Sequence, residues 1–227
     1  MSPAQVRPLR KDAAQTRLRL IAAAEAVFAE QGPSATMEQV ADRAAVGAAT
    51  LYRRFPTKPD LMRAVLSAFF IRLIAQAELA RERPGAECLE AYLLTVGHEL
   101  AAHRGLVQGD WGDALPAELF HQLRALTGEL IAKAQAAGAV SAGVTIGDVA
   151  ATVWALRGIL QTSAEVTPEA WRRHVSYVLA GFRMPAEIVT APISVAEIDQ
   201  VLRHDPTRDP TVSPIGANRL SIERSQP

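Results

Sequence analysis

From Asp12 to Phe182 apolar residues recur at three- and four-residue spacing, in runs too long and too regular for strands. That periodicity restricts the chain to an all-α fold. Leu20, Ile21, Ala24, Val27 and Phe28 form the first stripe, and Gly32-Pro33 ends it as a C-terminal glycine followed by a breaker. Thr36 then opens a capping box with Gln39, in which both side chains satisfy free backbone amides ahead of Val40, Ala41 and Ala44. A second short helix is expected over about residues 48–54, anchored inward by Leu51 and Phe55. Thr57, with Pro59 and Asp60 behind it, starts a long helix. Leu61, Val65, Leu66, Phe69, Phe70, Leu73 and Ile74 carry that helix to about Glu82, before Pro84-Gly85. At ~1.5 Å per residue it is a rod of roughly 37 Å. Further helices are expected over about 86–103, 116–137, 145–163 and 168–182. Past Met184 prolines accumulate, and only "SVAEIDQVLRH" can make a short helix. The rest of that tail is expected to be unfolded or draped on the surface.

The 227 residues allow one large domain, or a small one joined to a larger, with enough chain for a core without staples. The single cysteine, Cys88, excludes an internal disulfide and fits a reducing compartment. No histidine lies near it in sequence, so it reads as a small buried thiol. The N-terminal "MSPAQVRPLRKDAAQ" has charge but no following apolar run, so no signal peptide is read. Arg72 and Arg157 interrupt the most apolar stretches, and neither reaches the ~18 residues of a membrane span. The expectation is a cytosolic protein without a membrane partner. There is no P-loop and no GxGxxG. His98 and His103 in "HELAAH" stand five apart, about 500° around a helix, so they do not share a face as HExxH histidines do. "DWGD", Asp110 to Asp113, reads as a capped turn around a half-buried tryptophan or as a metal or ligand loop. No catalytic constellation emerges, and no cofactor is expected.

The formal net charge is zero, but residues 1–63 carry ten Arg or Lys against six acids. Such asymmetry points to an anionic partner at the N-terminal end. The stretch "TMEQVADRAAVGAATLYRRFPTKPD", Thr36 to Asp60, supplies the means. Its second helix is barely two turns long and unstable alone, so neighbours must hold it. A helix, a tight turn and a second helix with a polar face form a helix-turn-helix, whose second helix can enter the DNA major groove.

At this point the residues resemble a known family. "TMEQVADRAAVGAATLYRRFPTKPDLMRAV" resembles the DNA-binding region of TetR-family transcriptional regulators, and "LIAAAEAVFAEQG" resembles that family's first helix. The likeness covers roughly residues 14–66, and "TLYRRFPTKPDL" is its most specific part. It implies an all-α homodimer with an arm and helix-turn-helix in residues 1–57, a helical ligand-binding and dimerisation domain in 58–183, and a tail in 184–227. It further implies a double-stranded DNA operator, an unidentified small-molecule effector and repression relieved by that effector.

Carried over by position, the resemblance puts Thr36 and Lys58 on phosphates, and Thr50 and Tyr52 on phosphate or base edges. Arg53 and Arg54 suit guanine or phosphate, and spacing alone does not decide between them. Ala48 and Ala49 can offer only methyl contacts, so DNA shape and the arm residues Arg7, Arg10 and Lys11 in a minor groove gain weight. Where the family has glycine in the turn this chain has Ala45, whose Cβ in a left-handed turn would cost ~1 kcal/mol. A different winding of the turn is therefore expected. Phe69, Leu94, His98, Trp111, Phe120, Leu123 and Trp154 are candidates to line an effector pocket, or else plain core. Val149, Val153, Leu156, Leu160, Val175, Val178 and Leu179 are expected in a four-helix dimer interface. Two rival readings are a helical enzyme without a recognisable motif, and a binding protein that keeps the helix-turn-helix only as scaffold.

Overall fold

A computed structural model of the chain describes residues 6–105, 114–184 and 190–203. Its helices are α1 (Val6–Gln31), α2 (Met37–Arg43), α3 (Ala48–Arg54), α4 (Lys58–Arg81), α5 (Gly85–Ala102), α6 (Ala117–Ala136), α7 (Ile146–Ser163), α8 (Ala170–Arg183) and α9 (Val195–Arg203). No strand occurs among the described residues. The expected helix ends hold within a few residues except at the N-terminus. There α1 begins at Val6, so positions 7, 10 and 11 continue a helix rather than form a separate arm. Their side chains lie outside the described residues.

The helix ends follow from local chemistry. Gly32 takes φ 59° at the end of α1, a left-handed conformation that glycine adopts without a Cβ clash. The Thr36 backbone amide donates to Gln39 Oε1 at 2.8 Å and the Gln39 amide to Thr36 Oγ1 at 3.3 Å, which closes the box at α2. Thr57 and Asp60 close a second at α4, and Thr145 and Asp148 close a third, unremarked in the sequence, at α7.

The helices pack around two apolar cores. Leu20, Val27, Phe28, Val40 and Leu51 belong to the N-terminal one, and Leu93, Leu130, Leu156, Trp171 and Val175 to the larger body core. Helix α4 enters both. Leu61, Met62, Ala64, Val65 and Leu66 complete the N-terminal core, whereas Phe69 onward faces the body. Ala114, from far along the chain, also closes the N-terminal core. A division at residues 57 and 58 therefore cuts through a packed unit. The reason is physical: α3 buries only Leu51, and so small a helix needs the first turns of α4 to cover it. In the body, Gly97 admits the Trp171 ring against the backbone of α5, where a Cβ would overlap the ring.

The tail is more ordered over 190–203 than its prolines imply. Ser194 and Glu197 cap α9, Ile198 is 2% exposed, and Arg124 on α6 donates to Asp199 at 2.6 Å. Ile193 passes so close to α7 that a Cβ on Gly147 would strike its carbonyl. The short helix that "SVAEIDQVLRH" allows thus forms as α9, because one apolar stripe among polar residues suffices to dock it. Among the described residues, no helix is long and apolar enough to cross a membrane, and no group of three His, Cys, Asp or Glu could hold a metal ion.

Candidate nucleic-acid interface

The turn between α2 and α3 is wound as if it contained glycine. Ala45 sits at φ 52°, the one non-glycine residue with positive φ among those described. Its amide donates to Asp42 O at 3.0 Å and the Val46 amide to Ala41 O at 3.0 Å, the paired bonds of a Schellman motif. The expectation of a different winding is corrected. The strain of a Cβ there, ~1 kcal/mol, is offset by tertiary partners. Arg19 of α1 donates through Nη2 to Ala44 O at 2.6 Å and to Ala45 O at 3.3 Å. Arg43, at the end of α2, pairs with Glu30 of α1 at 2.5 Å.

On α3, Leu51 is the buried anchor. At about 100° per residue, Ala49 and Arg53 stand roughly 160° from it, and Arg54 only about 60° away. Ala48, Ala49, Tyr52, Arg53 and Arg54 are exposed and Thr50 is half-buried. The outward face is therefore small and polar, with Arg53 near its centre and its Nη2 donating to Thr50 Oγ1 at 3.2 Å. The Tyr52 hydroxyl donates to Glu38 Oε1 at 3.0 Å, a partner the sequence reading missed. The Glu38 backbone amide, then Tyr52 and Thr36, hold that carboxyl below its ordinary pKa, and donation to Glu38 raises that of Tyr52. Lys58 opens α4 with Nζ over the Phe28 ring, 5.5 Å from its centroid. Thr36 is exposed at the start of α2. These groups lie on three helix starts or faces of one small unit.

A polar junction ties that unit to the body. Arg72 on α4 donates to Glu25 of α1 at 2.8 Å and to Glu99 of α5 at 3.3 Å. Its Nη2 lies 3.1 Å from His103 Nε2, and His103 Nδ1 lies 2.9 Å from the Glu99 carbonyl oxygen. A guanidinium only donates, so Nε2 accepts and the ring proton sits on Nδ1. Burial alone would lower the Arg72 pKa, but Glu25 and then Glu99 outweigh it and raise it. The guanidinium also lies 5.9 Å from the Phe69 ring centroid. The sequence carries one signal of this junction, a single charge inside the apolar run "AVLSAFFIRLIA", which by itself speaks only against a membrane span.

The candidate pocket residues separate into two groups. Phe69 packs edge-on against Phe70 at 5.9 Å, and Phe70 against Phe120 at 6.1 Å. Leu123 belongs to the same body core and Leu94 packs against it. His98 is corrected: it is exposed, stacks edge-on with Trp171 at 5.1 Å and receives a hydrogen bond from Arg172 at 2.7 Å. It lies just beyond the apolar stripe of α5. Trp154 is half-buried on α7, opposite the buried stripe of Val149, Leu156 and Leu160, and Trp111 and the rest of "DWGD" lie outside the described residues.

The expected dimer set is also corrected. Val149, Leu156, Leu160, Val175 and Leu179 are each 5% exposed or less within the single chain. A side chain already enclosed by its own protomer has no surface left for a second. Val153 and Val178 are half-buried. The faces of α7 and α8 opposite those residues instead carry the half-buried Trp154 and the exposed Gly158, Arg173 and Tyr177. Cys88 is buried, with its thiol pKa raised by burial.

Residues 20–65 match the family described as bacterial regulatory proteins, tetR family, and residues 83–184 match the C-terminal domain of SbtR-like transcriptional regulators. Among solved structures, the chain is similar to a TetR transcription regulatory protein from Mycobacterium vanbaalenii. Identity is 32% over 78% of this chain and 100% of that one, with a TM-score of 0.59. It is similar to the TetR transcriptional regulator SCO0520 from Streptomyces coelicolor at 31% identity, over 75% and 99%, with a TM-score of 0.56. The fatty acid degradation regulator FadR from Bacillus halodurans shares the fold at 18% identity, over 74% and 98%, with a TM-score of 0.58. No curated protein matches the chain.

Proposed function

We infer the function from the premise that this chain belongs to the TetR family of bacterial regulatory proteins. It is a DNA-binding transcriptional regulator that responds to a small molecule. The observation that carries the reading is the exposed face of α3, small and polar opposite Leu51, on a unit stapled together by α4. In this reading α3 enters the major groove. Arg53 is aimed at base edges, and Ala48 and Ala49 allow close approach. Thr50, Tyr52 and Arg54 border the groove, while Thr36 and Lys58 reach phosphates at helix N-termini, where the dipole favours an anion. Lys58 must leave the Phe28 face, and Tyr52 must leave Glu38, to make those contacts.

The chain acts as a homodimer through the open faces of α7 and α8, so two recognition helices meet a pseudo-palindrome. The effector binds in the body beside Phe69, Phe70, Phe120 and Leu123. Displacement there reaches Arg72, one turn from Phe69 on the same rod, and through Glu25 the first helix of the DNA-binding unit. A differential of ~1–3 kcal/mol between the two states would weaken operator affinity some 5- to 150-fold, which amounts to repression relieved by ligand.

Selection of bound fragments from genomic DNA with the purified protein tests the reading. A shared sequence with two inverted half-sites about one helical turn apart, or a multiple of that, is expected. Recovery of no enriched fragment at low salt would leave the helix-turn-helix as scaffold.

A further inference from the structure

We propose that Arg19 is a positioning residue for operator recognition: it holds the left-handed turn at Ala45 and so sets the angle at which α3 meets DNA. The proposal rests on the reading of α2 and α3 as the DNA-binding unit. Three observations carry it. Ala45 adopts φ 52°, a conformation in which an alanine is populated only when its surroundings hold it there. The Schellman bonds at Ala45 and Val46 account for two backbone amides but bring no backbone donor to the carbonyls of Ala44 and Ala45. One guanidinium, from a different helix, donates to both of those carbonyls. The guanidinium of Arg19 also meets the negative end of the α2 dipole.

The consequence for DNA binding is geometric. Helix α3 is attached through Val46 and Gly47 and buries one side chain, Leu51. Its direction is therefore set largely by the turn. A turn that samples other conformations presents α3 correctly for only part of the time, and apparent affinity falls by that fraction. Arg19 need not touch DNA to act in this way, which distinguishes it from a phosphate contact. A glycine at position 45 would remove the strain and make the clamp dispensable.

The test uses the full chain, a duplex recovered by the genomic selection above, and a scrambled duplex of the same length. Arg19→Ala should weaken binding to the selected duplex by about fivefold per half-site, hence about 25-fold for two half-sites acting independently. Binding to the scrambled duplex should change less than about twofold, and the salt dependence should keep its slope, since no phosphate contact is lost. Adding Ala45→Gly to Arg19→Ala should restore most of the lost affinity. A slope reduced by about one unit would make Arg19 a phosphate contact. An unchanged affinity, or a loss that Ala45→Gly does not recover, would equally overturn the proposal. Amide exchange without DNA reads the same device: the Ala45 and Val46 amides should exchange about fivefold faster in Arg19→Ala and return toward wild type with Ala45→Gly. Unchanged exchange overturns the proposal whatever the DNA result. A wild-type protein that selects no duplex refutes the DNA-binding reading and this role with it, while exchange still reports whether Arg19 holds the turn.

Discussion

Tyr92 and Thr127 form a buried polar pair on facing helices α5 and α6. Their hydroxyls are 3.0 Å apart, and that of Thr127 is 2.8 Å from the Leu123 carbonyl. With both inside the core, burial pushes the phenol up from 10.0 to about 12. A folded-state pKa above the unfolded one stabilises the fold fully below about pH 10, and the benefit is lost as pH rises from there through about 12. Stability should therefore fall by up to ~1.4 kcal/mol per pH unit in that window. Urea midpoints taken from about pH 9 to about pH 11 should show a shallower decline in Tyr92→Phe than in the wild type, and parallel declines would remove Tyr92 as the cause. At the surface, the Glu38 carboxylate occupies the Tyr52 hydroxyl and also meets Thr36, two of the groups proposed to contact DNA. Glu38→Gln should tighten DNA binding several-fold at low salt, because repulsion falls and a neutral amide oxygen holds Tyr52 less tightly than a carboxylate does. Weaker binding in that variant would mean that Glu38 instead holds α3 ready for DNA. Neither pair was legible in the sequence, since a tyrosine on an apolar stripe looks like any other core residue until its neighbour is known.

Among the elements, α3 was readable in type and extent but its two arginines were not resolved by spacing. The buried position of Leu51 settles which is central. Arg53→Ala should relax preference at one base position by ~1–3 kcal/mol, whereas Arg54→Ala should weaken binding evenly across sequences. A repeat of the selection with each variant decides, and an unaltered consensus with Arg53→Ala would reverse the assignment. Helix α9 lies outside both matched family regions, yet it is seated by Ile198 and by the Arg124–Asp199 pair. Ile198→Asp should lower stability by ~2–3 kcal/mol, about as much as truncation after Met184, because a buried charge forces the helix off its seat. Thermal unfolding of both variants measures this. A full-length Ile198→Asp protein as stable as the wild type would show that α9 adds nothing.

At the scale of the molecule, α4 is a rod of ~36 Å that passes through both cores. The Arg72 junction joins α1, α4 and α5 near its middle. In the proposed mechanism a change in the body that displaces this segment moves the DNA-binding unit with it, because close-packed elements shift as units rather than deform smoothly. The assembly has its own test, since the buried and open faces of α7 and α8 predict different failures. Tyr177→Asp and Gly158→Glu should yield a folded monomer with weakened operator binding, whereas Leu156→Asp should unfold the body. Light scattering with circular dichroism separates the two. A stable dimer in both surface variants would place the interface elsewhere.

The features that the sequence by itself determined are those whose partners lie within a few residues. The capping boxes of Thr36 with Gln39 and Thr57 with Asp60, the stop at Gly32 and the short helix after Gly47 all satisfy backbone groups locally. Composition and periodicity carry such information directly. The features decided only by tertiary structure are those in which a residue is completed from far along the chain. Arg19 reaches 25 residues to Ala44, and Arg72 reaches 47 residues to Glu25. The same holds for the apolar faces of α7 and α8. Periodicity shows that Leu156 and Val175 share an apolar stripe, but only packing shows that the stripe closes its own protomer's core and leaves the opposite faces open. The left-handed Ala45 is the sharpest case, because its own preference opposes the conformation and the Arg19 guanidinium reaches it from another helix.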